Sequence, residues 1–256
     1  MEKVTYQYLG LMDYQQAWDY QKELMQAVIQ RKLKNRHLSP DHPEFQQQQH
    51  YLLFCHHPPV YTLGKSGSSD NLLLNQNQLK QAGVSFYKIN RGGDITYHGP
   101  GQVVGYPIFD LDLFFTDIHR YVRSLEEVII RTLADYGIQG GRIKGFTGVW
   151  LEGTGGSDPN RKICAIGVHL SRWVTMHGFA LNVNTNLKYF NNIIPCGIQD
   201  QDKTVTSMQQ ELGKKIDTEE VMAKLKYHFA QIFGFEFKNS TPTHPTASEL
   251  GDPNKA

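Results

Sequence analysis

The chain has 256 residues, which fit one large domain better than two small ones, and its 39% hydrophobic content can fill a substantial core. Its 26 basic residues nearly balance its 25 acidic residues, so no overall field attracts nucleic acid or an anionic membrane. The first residues lack the apolar run of a signal peptide, and no segment has the length of a membrane span. We therefore expect no nucleic acid and no membrane as partners. Three cysteines are too few for a disulfide framework, which indicates reduced thiols and a cytoplasmic location.

The first predicted helix begins at Asp13, whose side chain can cap it. Apolar residues recur at three- and four-residue steps from Tyr14 to Val28, which gives one buried face, and the pattern fades near Lys34. Residues 35–49 contain two prolines and a glutamine run, a composition that favours an exposed connection. A short buried strand is predicted next, over residues 51–56.

Two further helices are predicted, one from a cap at Thr116 to Gly137, the other from Asp217, with Glu220 in the capping-box position, to Gly234. Strand-like runs cover residues 146–151, 163–170 and 173–183. Turn residues at 153–159 join the first two runs into a hairpin, so that Lys162 opens its second strand. Residues 240–256 have too little apolar content to pack. We expect a folded domain at residues 1–239 and a flexible tail at residues 240–256.

Two motifs that suggest other activities are incomplete. Gly64-Lys65-Ser66 resembles the end of a P-loop, but the glycine required five residues earlier is replaced by Pro59. Cys55-His56-His57 suggests a metal site, but side chains alternate faces along a strand, so three adjacent residues cannot all bind one ion. We expect no metal site here.

A glycine-rich segment runs from Arg91 to Gln102, with Gly92-Gly93 and Gly99-Pro100-Gly101 on either side of a short polar run. Dense glycines favour close approach of the backbone to a ligand, although two ordinary turns around a strand would give the same pattern. The polar side chains between the glycines favour a binding site.

The cysteines near Lys162 suggest acyl transfer, because a thiolate needs a cationic neighbour or a proton acceptor to form near neutral pH. Cys164 lies two residues after Lys162, which on a regular strand places both side chains on one face. Cys196 lies between Pro195 and Gly197 in a predicted turn. Either cysteine can be the partner of the lysine. We favour Cys196, because a loop position is accessible to a large acyl donor.

Several segments together resemble the lipoate-protein octanoyltransferases (LipB). Their order and spacing match over most of the chain, from Tyr6 to Gly234. The matching segments are His57-Pro58-Pro59-Val60-Tyr61-Thr62-Leu63-Gly64, residues 91–102, Lys162-Ile163 with Ala165-Ile166-Gly167, His177-Gly178-Phe179-Ala180-Leu181-Asn182-Val183, and Pro195-Cys196-Gly197.

The resemblance implies an α/β (α+β) single domain, with a mixed sheet flanked by helices, of the kind found in biotin and lipoate protein ligases. Residues 1–239 would form the octanoyltransferase catalytic domain. The implied reaction transfers an octanoyl group from octanoyl-acyl carrier protein to a specific lysine of lipoyl domains, the first step of lipoate assembly. The implied acceptors are the lipoyl domains of 2-oxoacid dehydrogenase E2 subunits and the glycine cleavage H protein.

The resemblance also implies residue roles. Cys196 matches the acylated cysteine, and Lys162 matches its activating lysine. The positions that match the lining of the acyl site are Arg91, Gly92, Gly93, Asp94, Ile95, Thr96, Tyr97, His98, Ala165, Ile166, Gly167, Gly178, Phe179 and Ala180. Aminolysis of a thioester needs neither ATP nor a metal, so no cofactor is expected.

Two other functions fit parts of the pattern. An ATP-dependent lipoate or biotin protein ligase on the same fold would need no cysteine nucleophile. A non-catalytic acyl-binding or lipoyl-domain-binding protein would need the apolar pocket but not Cys196.

Overall fold

The computed structural model describes residues 1–155, 158–194 and 203–238. Its helices and strands, in chain order, are β1 (Glu2–Leu11), α1 (Tyr14–Asn35), β2 (His50–His56), β3 (Val60–Leu63), α2 (Gln76–Gln81), β4 (Ser85–Lys88), β5 (Ile95–His98), β6 (Gln102–Ile108), α3 (Ile118–Ala134), β7 (Val149–Leu151), β8 (Asn160–Ser171), β9 (Val174–Asn182), β10 (Lys203–Val205), α4 (Met208–Leu212), α5 (Thr218–Phe233) and β11 (Phe235–Phe237). None of these helices is both long and apolar enough to cross a lipid bilayer. The predicted tail at 240–256 lies outside the described residues, so its boundary stays a prediction.

Two sheets form the core of the fold. The larger has the strand order β10-β8-β9-β6-β2-β1-β11, with β7 also paired to β8, and the smaller has the order β4-β3-β5. In the larger sheet β1 runs parallel to β2 and β11, and β10 runs parallel to β8, whereas the other pairs are antiparallel. The predicted mixed sheet is therefore confirmed.

Helices cover both faces of the larger sheet. Along β2, Leu52 and Phe54 pack in the core beneath α3 and α5, while Leu53 and Cys55 pack against α1. Successive side chains of a strand point to opposite faces, so a strand between two helical layers is apolar on both sides. This explains why residues 51–56 read as a continuous apolar run.

The first helix matches its prediction closely. Asp13 caps α1 by accepting a hydrogen bond from the Gln15 amide at 2.8 Å, and the helix ends at Asn35. Residues 36–49 contain no helix or strand, yet the connection is not wholly exposed. Gln48 is buried, and its amide nitrogen donates to Asp110 at 3.0 Å.

The ends of the later helices differ in detail from expectation. The cap of α3 is Asp117, which accepts from the Arg120 amide at 2.9 Å, so the predicted cap at Thr116 was wrong by one residue. The predicted cap Asp217 is confirmed for α5, which ends at Phe233 and is followed by the predicted stop, Gly234, with a φ of 67°.

The predicted hairpin is present, but its strands are uneven. β7 starts only at Val149, and the register between β7 and β8 is irregular. Val149 pairs with Cys164, whereas the next residue, Trp150, pairs with Lys162, so the pairing passes over Ile163. This is a β-bulge, which changes the direction of a side chain relative to strict alternation.

Candidate active site

A cavity of about 290 Å³ lies where the two sheets meet. Its wall is built from β5, β6, β8 and β9 together with the loops at residues 91–94 and 145–147. The predicted site residues that line it are Arg91, Gly93, Asp94, Ile95, Thr96, His98, Lys162, Ala165, Ile166, Gly167, Gly178, Phe179 and Ala180. Three separate stretches of sequence, residues 91–98, 162–167 and 178–180, are thus brought to one cavity. Their catalytic and binding roles stay predictions.

Three predicted site residues are not part of this lining. Gly92 donates its amide hydrogen to the Val168 carbonyl at 2.9 Å, which ties the glycine-rich loop to β8. Tyr97 points away into the core of the smaller sheet, where its ring stacks on Tyr189 at 4.7 Å. Cys196 lies outside the described residues.

The Arg91 loop is fixed by a close approach to β8. A Cβ atom on Gly167 would lie 2.7 Å from the Gly92 carbonyl oxygen and 3.0 Å from Arg91 Cδ, so only glycine fits there without a shift. On the other side, the amides of Lys65 and Ser66 donate to the carbonyls of Arg91 and Gly93 at 3.0 and 3.2 Å. These amides are therefore already used and cannot hold a phosphate.

A chain of buried hydrogen bonds begins at Arg91. Its guanidinium donates to the Thr62 carbonyl at 2.7 Å and to the Thr62 hydroxyl oxygen at 3.0 Å. That hydroxyl lies 3.4 Å from His98 Nε2, and His98 Nδ1 lies 2.9 Å from Gln102 Oε1. Because the amide oxygen can only accept, Nδ1 carries the imidazole proton and Nε2 accepts from Thr62.

The chain continues to the strand that carries Lys162. Gln102 donates to Asn182 Oδ1 at 2.9 Å, Asn182 donates to the Thr206 carbonyl at 3.0 Å, and the Thr206 amide donates to the Lys162 carbonyl at 2.9 Å. The polar groups of this chain therefore bond to one another. An apolar ligand can lie against them without leaving donors unpaired.

Sequence reasoning did not select several residues that line the cavity, among them Tyr14, Gln102, Tyr106 and Asn182. Gln102 and Asn182 stand inside segments that were noted for their resemblance, so a signal for them existed. Tyr14 reads as an ordinary member of the buried face of α1. Only the packing of α1 against the sheet brings it to the cavity.

Lys162 lies at the cavity wall, with Nζ 4.6 Å from the centre of the Trp150 ring. Cys164 is fully buried in the opposite core, beneath α3, and burial raises the pKa of its thiol. The expectation that both side chains share one face was therefore wrong, because the bulge at Ile163 interrupts the alternation. Cys164 is not positioned as a nucleophile in this cavity.

Two histidines of the cavity wall are neutral at ordinary pH. Burial lowers the pKa of His98 and of His177 to about 3. Neither imidazole can therefore supply a positive charge that favours a thiolate near pH 7. Among the residues that line the cavity, Lys162 is the one that carries a side-chain amine.

The Cys55-His56-His57 segment is structural. His57 Nδ1 lies 2.7 Å from the Met12 carbonyl and Nε2 lies 2.7 Å from the Tyr106 hydroxyl, while Cys55 is fully buried. In the described part of the chain, no group of three or more His, Cys, Asp or Glu side chains is placed to hold a metal ion.

The fold is that of the lipoate protein ligases. A putative lipoate protein ligase from T. acidophilum with bound lipoic acid superposes with a TM-score of 0.63 at 14% identity, covering 94% of this chain and 90% of that one. A lipoate-protein ligase A bound with ATP gives a TM-score of 0.66 at 14% identity, with the same coverage of each chain. At this identity the likeness shows the fold alone, and the expected fold class is confirmed. The lipoyl protein ligase A/B catalytic domain family matches residues 13–230.

Closer relatives define the family within this fold. An octanoyltransferase of Flavobacterium johnsoniae is 58% identical, covering 92% of this chain and 98% of that protein. An octanoyltransferase of Cytophaga hutchinsonii is 56% identical, covering 92% of this chain and 94% of that protein. The chain belongs to the octanoyltransferases of the lipoyl protein ligase A/B family and is an acyltransferase.

Proposed function

We propose that this enzyme transfers an octanoyl group from octanoyl-acyl carrier protein to a specific lysine of lipoyl domains, as the first step of lipoate assembly. The acceptors in this proposal are the lipoyl domains of 2-oxoacid dehydrogenase E2 subunits and the glycine cleavage H protein. The observation that carries the proposal is the cavity of about 290 Å³ with Lys162 in its wall, in a chain whose close relatives are octanoyltransferases.

The nucleophile in this proposal is Cys196. The other two cysteines, Cys55 and Cys164, are both fully buried in the core, and burial raises the pKa of each thiol. A buried thiol is hindered both in forming a thiolate and in reaching a donor bound to a carrier protein. Cys196 is the remaining cysteine of the chain.

The reaction has two steps. The Cys196 thiolate attacks the thioester carbonyl, the carbon–sulfur bond to the carrier breaks, and the carrier thiolate takes up a proton. The acceptor lysine amine then attacks the enzyme thioester, an amide forms, and the Cys196 sulfur leaves. The attacking amine loses one proton in this second step.

Lys162 serves both steps as the proton-transfer group. As a neutral amine it accepts the thiol proton, and as an ammonium it stabilises the thiolate and then protonates the leaving sulfur of the carrier. It accepts a proton again from the attacking amine. Trp150 supports this role, because its ring packs beneath Nζ and limits access of water from that side.

Intact-protein mass spectrometry after incubation with octanoyl-acyl carrier protein, in the absence of ATP, tests the proposal. We expect one octanoyl adduct on the wild-type enzyme and on Cys164→Ala, and none on Cys196→Ala. The adduct should disappear when a lipoyl domain is added, with a matching mass gain on that domain.

Other results would overturn parts of the proposal. An adduct that maps to Cys164 would move the nucleophile, and transfer that requires ATP would indicate a ligase instead. Binding of octanoyl-carrier protein without an adduct or transfer would indicate a binding protein. A cytoplasmic location is part of the same proposal, and cell fractionation with an antibody to the enzyme tests it.

A further inference from the structure

A fully buried carboxylate, Glu126, lies on α3 next to the cavity wall. Its Oε2 accepts from Arg123 Nη1 at 2.6 Å and from Arg142 Nε at 2.9 Å, while Oε1 accepts from the Gly148 amide at 3.1 Å. Removing a carboxylate from water is costly, and an apolar residue would serve a helix core at least as well. The placement therefore needs a reason beyond helix packing.

The reason lies in what Gly148 contacts. It has a φ of 112°, and a Cβ atom at this position would lie 2.5 Å from the Cys164 carbonyl oxygen and 3.6 Å from Lys162 Cε. Residue 148 thus lies close to the end of the Lys162 side chain, with space for about one methyl group between them. The hydrogen bond from the Gly148 amide to Glu126 ties this backbone to α3.

Residues 145–148, which we term the wall segment, enclose the lysine further. Residues 145–147 line the cavity, and the Phe146 ring meets the Trp150 ring edge-on at 5.8 Å. The Trp150 ring in turn lies 4.6 Å from Lys162 Nζ. Gly145 and Gly148 lack a Cβ atom, so the backbone of the wall segment can adopt many conformations, and a contact is needed to hold it in the observed one, with positive φ at both glycines.

We propose that Glu126 is a positioning residue that holds the wall segment through the Gly148 amide, and thereby places the Lys162 amine for proton transfer. This inference rests on the proposed role of Lys162. A displacement of about 1 Å in a reacting group lowers a rate by roughly 100-fold, so a single hydrogen bond to the segment beside the amine has a measurable effect.

The chain offers a matched pair of substitutions. Glu126→Gln keeps the shape but cannot accept from all three donors, because its amide nitrogen faces either Gly148 or the two guanidinium groups. The bond to Gly148 is then lost, or the side chain that makes it is pushed away from Arg123 and Arg142. Glu127→Gln removes a charge from the same helix, where Glu127 also pairs with Arg142, at 2.8 Å, but its carboxylate bonds to Arg131 and Arg142 and not to the wall segment. Both variants are compared in single-turnover octanoyl transfer and in alkylation of Cys196 by iodoacetamide as a function of pH.

We expect Glu126→Gln to slow transfer about 10- to 100-fold and to move the midpoint of Cys196 alkylation to higher pH, because a displaced ammonium stabilises the thiolate less. Glu127→Gln should stay within about twofold of wild type, as expected for a partly exposed ion pair. A Glu126→Gln enzyme with lowered thermal stability but wild-type transfer and alkylation would overturn the inference, since that pattern describes a purely structural residue.

A double variant separates this inference from the proposed function. In a Lys162→Met background, Glu126→Gln should cause no further shift of the alkylation midpoint, and an equal shift there would show that Glu126 does not act through Lys162. If Lys162→Met alone leaves alkylation and transfer unchanged, the proposed role of the lysine fails instead. If Glu126→Gln does not fold, Arg142→Met should shift the midpoint in the same direction, and an unchanged midpoint would refute the inference.

Discussion

The cavity volume predicts how transfer depends on the length of the acyl chain. The cavity of about 290 Å³ is finite and has Ile166, Phe179 and Ala180 in its lining, so it can bury an acyl chain only up to a limited length. Each methylene buried contributes about 0.8 kcal/mol, or roughly fourfold in acylation efficiency. Single-turnover acylation should therefore rise about fourfold per methylene from butanoyl to octanoyl donors and fall beyond that length.

A substitution inside the cavity should move this optimum. Ala180 is buried and lines the cavity, so Ala180→Leu fills space equivalent to about three methylenes and should shift the optimum to donors two or three carbons shorter. Leu181→Met is the control, because Leu181 packs in the opposite core and should leave the optimum in place. A flat length profile, or the same optimum in Ala180→Leu, would refute a closed acyl slot.

Other predictions concern the lysine, the loop contact and the buried histidines. In rapid-quench assays Lys162→Met should slow both half-reactions. Lys162→Arg should retain more acylation than transfer, because guanidinium keeps the charge but cannot act as a base. Equal losses in both steps of Lys162→Arg would contradict this. Gly167→Val should lower the unfolding midpoint and transfer together, since its side chain has no room against Gly92, and wild-type values for both would argue against the close contact. Burial lowers the pKa of His57 to about 4, and those of His98 and His177 to about 3. In the unfolded chain these histidines have a pKa near 6.5, so below that pH the unfolded chain binds protons that the folded protein does not. The free energy of unfolding should therefore be highest above pH 6.5 and should decrease by about 4 kcal/mol between pH 7.5 and 5.5. Urea unfolding across this range measures the loss, and constant stability would show that these histidines are not buried in neutral form.

Local signals were sufficient to predict the three long helices, α1, α3 and α5, and the strands β2, β8 and β9. The cap at Asp13 and the spacing of apolar residues after it defined α1 to within one residue at its end. The buried strand at residues 51–56 was equally clear, because both faces of β2 are covered by helices. By contrast, the smaller sheet, the two short helices α2 and α4, and the strands β1, β6, β10 and β11 were not predicted. These strands are short or carry mixed polar and apolar residues, and their pairing depends on partners distant in sequence.

The placement of Lys162 shows where sequence reasoning is physically limited. Strict alternation put Lys162 and Cys164 on one face, but alternation holds only while two strands keep their register. The register between β7 and β8 shifts at Ile163, and that shift depends on how Val149 and Trp150 meet the partner strand. A two-residue spacing on one strand carries no information about this pairing.

The same limit explains why Glu126 gave no signal. In sequence it is one acidic residue beside another on an amphipathic helix, where a solvated carboxylate is the ordinary expectation. Only the structure distinguishes the two neighbours, since Glu126 is fully buried against Gly148 while Glu127 is partly exposed. Residues that bind an acyl group are recognisable by motif because the substrate constrains their chemistry. A residue that positions the reactive amine is constrained by the fold, so its evidence lies in burial and contacts.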